Sequence, residues 1–236
     1  MRTLFFDIDG TLLVTQNAGS QALAVAMEQE FGVEEFPMAS IRFGGRTDRD
    51  LVGEILSRAG LEVGEENRGR LRRSYTVLLR ESLQQVEGRV LPGVIEILDT
   101  LHTLPQISLA VMTGNFPETA RYKLQRFRLE GFFEWVVGGD LDEVRCDMAR
   151  RAGSQLDRRR NSTLVRDAIV IGDTPNDVRC AHSMGAKCLA VCTGSATREE
   201  LEIAKADEIV EDLREETAFR FLTQQSARTA NPSMNS

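Results

Sequence analysis

Asp7, Asp9, Asp173 and Asp177 fall in two short acidic motifs, DIDGT at 7–11 and GDTPND at 172–177, each directly behind an apolar run. Thr3-Leu4-Phe5-Phe6 precedes the first and Ala168-Ile169-Val170-Ile171 the second. Both sets of carboxylates are therefore expected at the carboxyl ends of buried strands, the edge where open parallel sheets bind ligands. Carboxylates crowded at one edge repel and raise one another's pKa. A bound divalent cation is the usual reason for such crowding.

Within DIDGT, Asp7 and Asp9 lie two apart, which puts both side chains on one face of an extended chain. Gly10 then lets the backbone turn. Asp7 is placed to attack phosphorus in line and form an aspartyl-phosphate, while Asp9 can protonate the departing alkoxide and later deprotonate the hydrolytic water. Thr11 can orient the two. Asp7, Asp173 and Asp177 form an oxygen-only ligand set suited to Mg²⁺, which bridges to substrate phosphate and shields the nucleophile from it. Asp177 is equally placed to cap a following helix. A third strand-end turn, Thr113-Gly114-Asn115 behind Leu109-Ala110-Val111-Met112, offers a hydroxyl and backbone N–H groups for phosphate oxygens, although such turns are common.

The elements that must position these residues follow from the patterning. Apolar runs at Leu4–Phe6, Leu109–Met112, Trp135–Val137, Ile169–Ile171 and Leu189–Val191 are each followed by turn residues and then by helix-like periodicity, and the helical segments include Val94–Leu101, Thr119–Phe127, Val144–Leu156 and Asp177–Met184. This alternation predicts βαβ units and a doubly wound parallel sheet in an α/β, Rossmann-like core. Residues 15–88 carry helical periodicity at Gln21–Phe31, Asp50–Ala59 and Arg70–Val86 and no convincing strand, so they read as an inserted α-helical cap over the strand ends. The core then comprises 1–14 and 89–223. The polar tail 224–236 reads as disordered.

The 236 residues allow one large core, or a main domain with a small second one. A net charge of -7 argues against nucleic acid as the main partner. No apolar stretch is long enough to span a membrane, and the first strand begins almost at Met1 with no leader pattern, so a cytoplasmic protein is expected. Cys146, Cys180, Cys188 and Cys192 show no metal-binding spacing and read as reduced thiols. The oligomeric state is not readable.

DIDGT, Thr113 and GDTPND, with a helical insertion after the first motif, resemble the haloacid dehalogenase superfamily of phosphohydrolases, in its phosphoglycolate-phosphatase-like branch, over nearly residues 2–215. The resemblance implies that Asp7 is nucleophile and Mg²⁺ ligand, that Asp9 is general acid/base and binds the metal through its backbone carbonyl, and that Asp173 is a further ligand supported by Asp177. Thr113 would bind phosphate. The family's third motif is a lysine, sometimes an arginine, ahead of the fourth. The chain's three lysines, Lys123, Lys187 and Lys205, all lie outside 135–173. Arg145 is the candidate for that cation, with Arg150 and Arg151 as substitutes and a solvated helix arginine as the alternative. In the insertion, Arg46 of Gly44-Gly45-Arg46-Thr47-Asp48 is expected to reach the substrate, or else the segment is a glycine turn with Asp48 capping the next helix. Arg158-Arg159-Arg160 reads as a solvated loop.

The implied activity is Mg²⁺-dependent hydrolysis of a small phosphorylated metabolite, phosphoglycolate-like or a sugar phosphate. Within the family it resembles, Asp9 is not needed by a dehalogenase, and the lysine-free insertion argues against a Schiff-base phosphonatase. A mutase of the β-phosphoglucomutase type is the nearest rival, which Thr11 disfavours. A catalytically silent binding relative is the other.

Overall fold

Apolar alternation along the strands faces two ways, and the chain wraps helices over both sides of one sheet. The computed structural model describes residues 1–160 and 167–224. In chain order its elements are β1 (Arg2–Phe6), β2 (Leu13–Val14), α1 (Ala18–Phe31), α2 (Asp48–Arg58), α3 (Glu65–Gln85), β3 (Arg89–Val90), α4 (Val94–His102), β4 (Ile107–Met112), α5 (Pro117–Arg126), β5 (Trp135–Val137), α6 (Arg145–Arg160), β6 (Ile169–Gly172), α7 (Pro175–Ser183), β7 (Lys187–Val191), α8 (Arg198–Ile203), β8 (Glu208–Val210) and α9 (Glu216–Thr223). Six strands form a parallel sheet in the order β5-β4-β1-β6-β7-β8. No helix among the described residues is long and apolar enough to cross a membrane.

Successive strand residues point to opposite faces. Leu4, Phe6, Leu109, Val111, Ile169 and Ile171 bury against α4, α5 and α9. Phe5, Ala110, Met112 and Val170 bury against α6, α7 and α8. Phe5 and Phe6 are fully buried. Truncating either to alanine would cost about 3–5 kcal/mol by opening a cavity in a close-packed interior.

The winding direction reverses at β1, which pairs with β4 on one side and β6 on the other. Phe6 is level with both Val111 and Ile171, so the residues leaving β1, β4 and β6 emerge side by side. Asp7 extends the ladder by one bond, its N–H donating to the Ile171 carbonyl at 2.9 Å. This is the crevice that open α/β sheets use for ligands.

Residues between β2 and β3 are helical, as expected, and form their own apolar cluster of Leu23, Met27, Ile55, Leu56, Leu71 and Leu79. β2 and β3 pair antiparallel, Leu13 opposite Val90, so entry to and exit from the insertion are adjacent. Phe116, which precedes α5, completes the cluster and meets Tyr75 of α3 edge-on at 6.2 Å. Thr47 caps α2 by accepting the Asp50 N–H, and the motif Thr174-x-x-Asp177 forms a full capping box on α7 behind Pro175.

The structure adds the β2–β3 pair, β8, α8 and α9 to the elements expected. It also corrects one: Arg158-Arg159-Arg160 closes α6 rather than forming a loop, and the Arg159 guanidinium lies 4.7 Å from the Trp135 ring centroid. Beyond Gln224 the tail lies outside the described residues.

Candidate active site

The turn after β1 is tight. Ile8 carbonyl oxygen accepts from the N–H groups of Leu12 and Leu13, and Gly10 adopts a φ of 83°. A Cβ on Gly10 would stand 2.5 Å from Asp173 Oδ2, so the position needs glycine for conformation and for space. The turn thereby presses the first motif onto the second. Thr11 Oγ1 donates to Asp173 Oδ1 at 3.2 Å, and Ser195 N–H donates to Asp173 Oδ2 at 3.2 Å.

Asp7, Asp173 and Asp177 are buried, and each offers one oxygen such that all three lie within 4.8 Å of one another. Burial pushes the Asp7 carboxyl up to about 6, with Arg145 opposing and Asp177 and Asp9 adding to the rise. Asp173 is raised well above the ordinary range by burial, then by Asp177 and Asp7. Three carboxylates face one guanidinium, a formal excess of two negative charges in a desolvated site. Hard oxygen donors carrying that excess fit a divalent cation of the Mg²⁺, Ca²⁺ or Mn²⁺ kind.

Arg145, at the start of α6, is the guanidinium in question. Its Nη2 stands 3.1 Å from Asp7 Oδ1 and donates to Asp177 Oδ1 at 2.6 Å. Burial works against its charge, but Asp177 and Asp7 outweigh that and hold it protonated. Its Nε has no partner among the described residues. Arg150 instead pairs with Asp147, and Arg151 with Asp142 and the Gly138 carbonyl. Asp177 caps α7, its Oδ2 accepting from Thr174 N and Oγ1 at 3.0 and 2.6 Å, while its Oδ1 faces the arginine.

Asp9 sits apart from the carboxylate cluster. Its two oxygens accept from Lys123 Nζ at 2.8 and 2.7 Å, and Asn115 Nδ2 donates to Oδ2 at 2.8 Å. Asn115 Nδ2 also donates to Thr113 Oγ1 at 2.7 Å. Thr113 is wholly buried, with its N–H donating to the Val137 carbonyl in the sheet. Lys123 was not singled out in the sequence. Its signal was there: with Thr119, Ala120 and Leu124 it occupies the buried stripe of α5, where a lysine is costly unless paired.

The insertion closes the crevice from above. Asp48 N–H donates to the Gly114 carbonyl at 2.7 Å, and Arg49 N–H to the Gly139 carbonyl at 3.1 Å. A Cβ on Gly114 would come within 1.8 Å of the Arg46 carbonyl oxygen, so only glycine permits this approach. The Arg46 guanidinium lies against Asp50 at 2.6 Å and against Glu54, while its carbonyl lies 3.4 Å from Arg145 Nη1. Asp48 is not the α2 cap. It crosses to α5, where Oδ2 accepts the Phe116 N–H at 2.8 Å. Burial pushes its carboxyl up to about 6, with Lys123 opposing. Beneath this roof is a cavity of about 500 Å³ lined by Asp7, Asp9, Thr113, Lys123, Arg145 and Asp173 among others.

An open parallel sheet with an inserted helical roof and a carboxylate cluster at its switch point defines a hydrolase class. Residues 4–191 match the family model described as haloacid dehalogenase-like hydrolase, and the chain belongs to that family. It is 28% identical over 206 residues to phosphoglycolate phosphatase 1 of Pseudomonas aeruginosa, covering 82% of this chain and 70% of the relative. It is 28% identical over 221 residues to a phosphoglycolate phosphatase of Nitrosospira multiformis, covering 92% and 94%. Among solved structures, a predicted phosphatase from Clostridium acetobutylicum superposes with a TM-score of 0.71 at 23% identity, covering 94% of this chain and 98% of that one.

Proposed function

We propose that the protein is a Mg²⁺-dependent phosphatase that hydrolyses a small phosphorylated metabolite through an aspartyl-phosphate at Asp7. The observation that carries this reading is the separation of two carboxylate environments: Asp7 among Asp173, Asp177 and Arg145, and Asp9 held by Lys123 and Asn115. Two chemically distinct acids are what a nucleophile and a proton carrier require. Asp7, Asp173 and the Asp9 backbone carbonyl would hold Mg²⁺, with Asp177 in support. The ion, when bound, supplies charge neutralisation between carboxylate and phosphate.

Arg145 orients Asp7, and its charge would help to offset that of incoming phosphate. Thr113, Gly114 and Asn115 edge the phosphate position. Asp7 attacks phosphorus as Asp9 gives a proton to the leaving oxygen, and Asp9 then takes a proton from the water that hydrolyses the acyl phosphate. The helices between β2 and β3 act as a cap, residues 15–88, over a core of 1–14 and 89–223. Arg46 contributes to substrate recognition at the rim, once released from Asp50 and Glu54. The two named relatives favour a phosphoglycolate-like substrate, with sugar phosphates next. The setting is cytoplasmic, in keeping with four free cysteines.

The experiment is turnover of a phosphomonoester panel before and after chelation. Hydrolysis lost on chelation and restored by Mg²⁺ is expected. No hydrolysis of any member, or full activity in chelator, would overturn the reading.

A further inference from the structure

We propose that Lys123 is a positioning residue that holds Asp9 for proton transfer to the leaving oxygen. The inference rests on the phosphatase reading and assigns a role in the reaction to a side chain that reading uses only as a neighbour of Asp9. All three ammonium protons are committed, two to the Asp9 oxygens at 2.8 and 2.7 Å and one to Asn115 Oδ1 at 2.7 Å. Asn115 closes the triangle by donating to Asp9 Oδ2. The Lys123 side chain is 5% exposed and the Asp9 side chain 43%, so the carboxylate is gripped from behind and open towards the cavity.

Burying an ammonium is expensive, and surface placement would have cost nothing. Its geometry matches a need in the reaction. As the P–O bond to the leaving group breaks and Asp7 bonds to phosphorus, the Asp9 proton moves to the leaving oxygen and negative charge appears on Asp9. Lys123 faces both oxygens on which that charge develops, and it fixes the plane of the carboxylate. Asp48 and Tyr75, from the insertion, line the same cavity and cover this end of α5.

A leaving group that departs readily as an anion needs no proton, which separates this role from general support of the site. The test compares kcat/KM for p-nitrophenyl phosphate with that for phosphoglycolate and glucose 6-phosphate, in wild type, Lys123→Met and Lys123→Arg. In Lys123→Met the alkyl phosphate that wild type hydrolyses should lose about 100-fold or more, the scale of general-acid catalysis, while the aryl phosphate loses less than about 5-fold. Lys123→Arg keeps the charge but cannot reproduce the three bonds, and should show the same skew at about 10-fold. If the methionine variant does not fold, the arginine variant carries the test. Equal losses on both substrate types, or no loss on either, in any folded variant would overturn the inference. Failure of wild type on every phosphate would instead sink the phosphatase reading.

Discussion

Arg145 Nη2 stands 2.6 Å from Asp177 Oδ1 and 3.1 Å from Asp7 Oδ1, so one nitrogen ties the carboxylate that caps α7 to the carboxylate that ends β1. The same cation therefore serves the fold and the chemistry. Removing it leaves two buried carboxylates without their cation, which in general costs about 3–5 kcal/mol. Arg145→Met should lose stability of that order in chelator. It should also gain more in melting temperature than wild type does when Mg²⁺ is added, because the excess negative charge is greater. Denaturation with and without the ion checks both, and a loss below about 1 kcal/mol would contradict the arrangement.

Asp48 makes a prediction about pH. Its carboxyl is pushed up from 3.8 to about 6 by burial. Between those values the folded chain holds a proton at this position that the unfolded chain has released, so stability falls as pH rises through the window. The contribution is complete below about pH 4 and lost above about pH 6. Asp48→Asn keeps an oxygen for the Phe116 N–H and removes the titration. Its melting temperature relative to wild type should therefore climb from pH 4 to 6 and then level. Parallel curves would show that Asp48 does not titrate there.

Gly114 meets the insertion at its closest point of approach. A methyl group there collides with the Arg46 carbonyl oxygen, and backbone cannot step aside without lifting the 44–49 segment. Gly114→Ala should cost about 1–3 kcal/mol as an overpacked contact. Both hydrogen bonds from Asp48 and Arg49 onto the core should weaken with it, read as faster proteolysis in the insertion and a raised KM. Unchanged proteolysis and KM would mean that the insertion does not depend on this contact.

The core was legible because its signals are local. Short apolar runs ending in Asp, Thr or Gly gave five of the six sheet strands, and the periodicity of 15–88 gave the helical insertion. β8 was not legible: Glu208-Ile209-Val210 is three residues long at a sheet edge, too short for a period to show. β2 and β3 are two residues each and exist because the chain must leave and re-enter the core at one place. At the site, Asp7, Asp173 and Asp177 meet because register aligns β1 with β6, which the motifs imply. Arg145 follows from where α6 starts. The stripe of α5 marks Lys123 as buried but does not name its partner Asp9, 114 residues away, and nothing short-range announces the contact of Ser195 with Asp173, 22 residues away. At Arg46 the sequence did not show the resting partners: Asp50 and Glu54, one and two turns on, hold its guanidinium.

The central claim is that Asp7 carries the phosphoryl group. Acid quenching during turnover, followed by peptide mass spectrometry, reads the covalent intermediate directly. With p-nitrophenyl phosphate, whose leaving group needs no proton, the account predicts a phosphorylated carboxyl at Asp7 in wild type, its accumulation in Asp9→Asn, where water activation is lost, and no adduct or turnover in Asp7→Asn. A phosphoryl group on another residue, or wild-type turnover by Asp7→Asn, would contradict it.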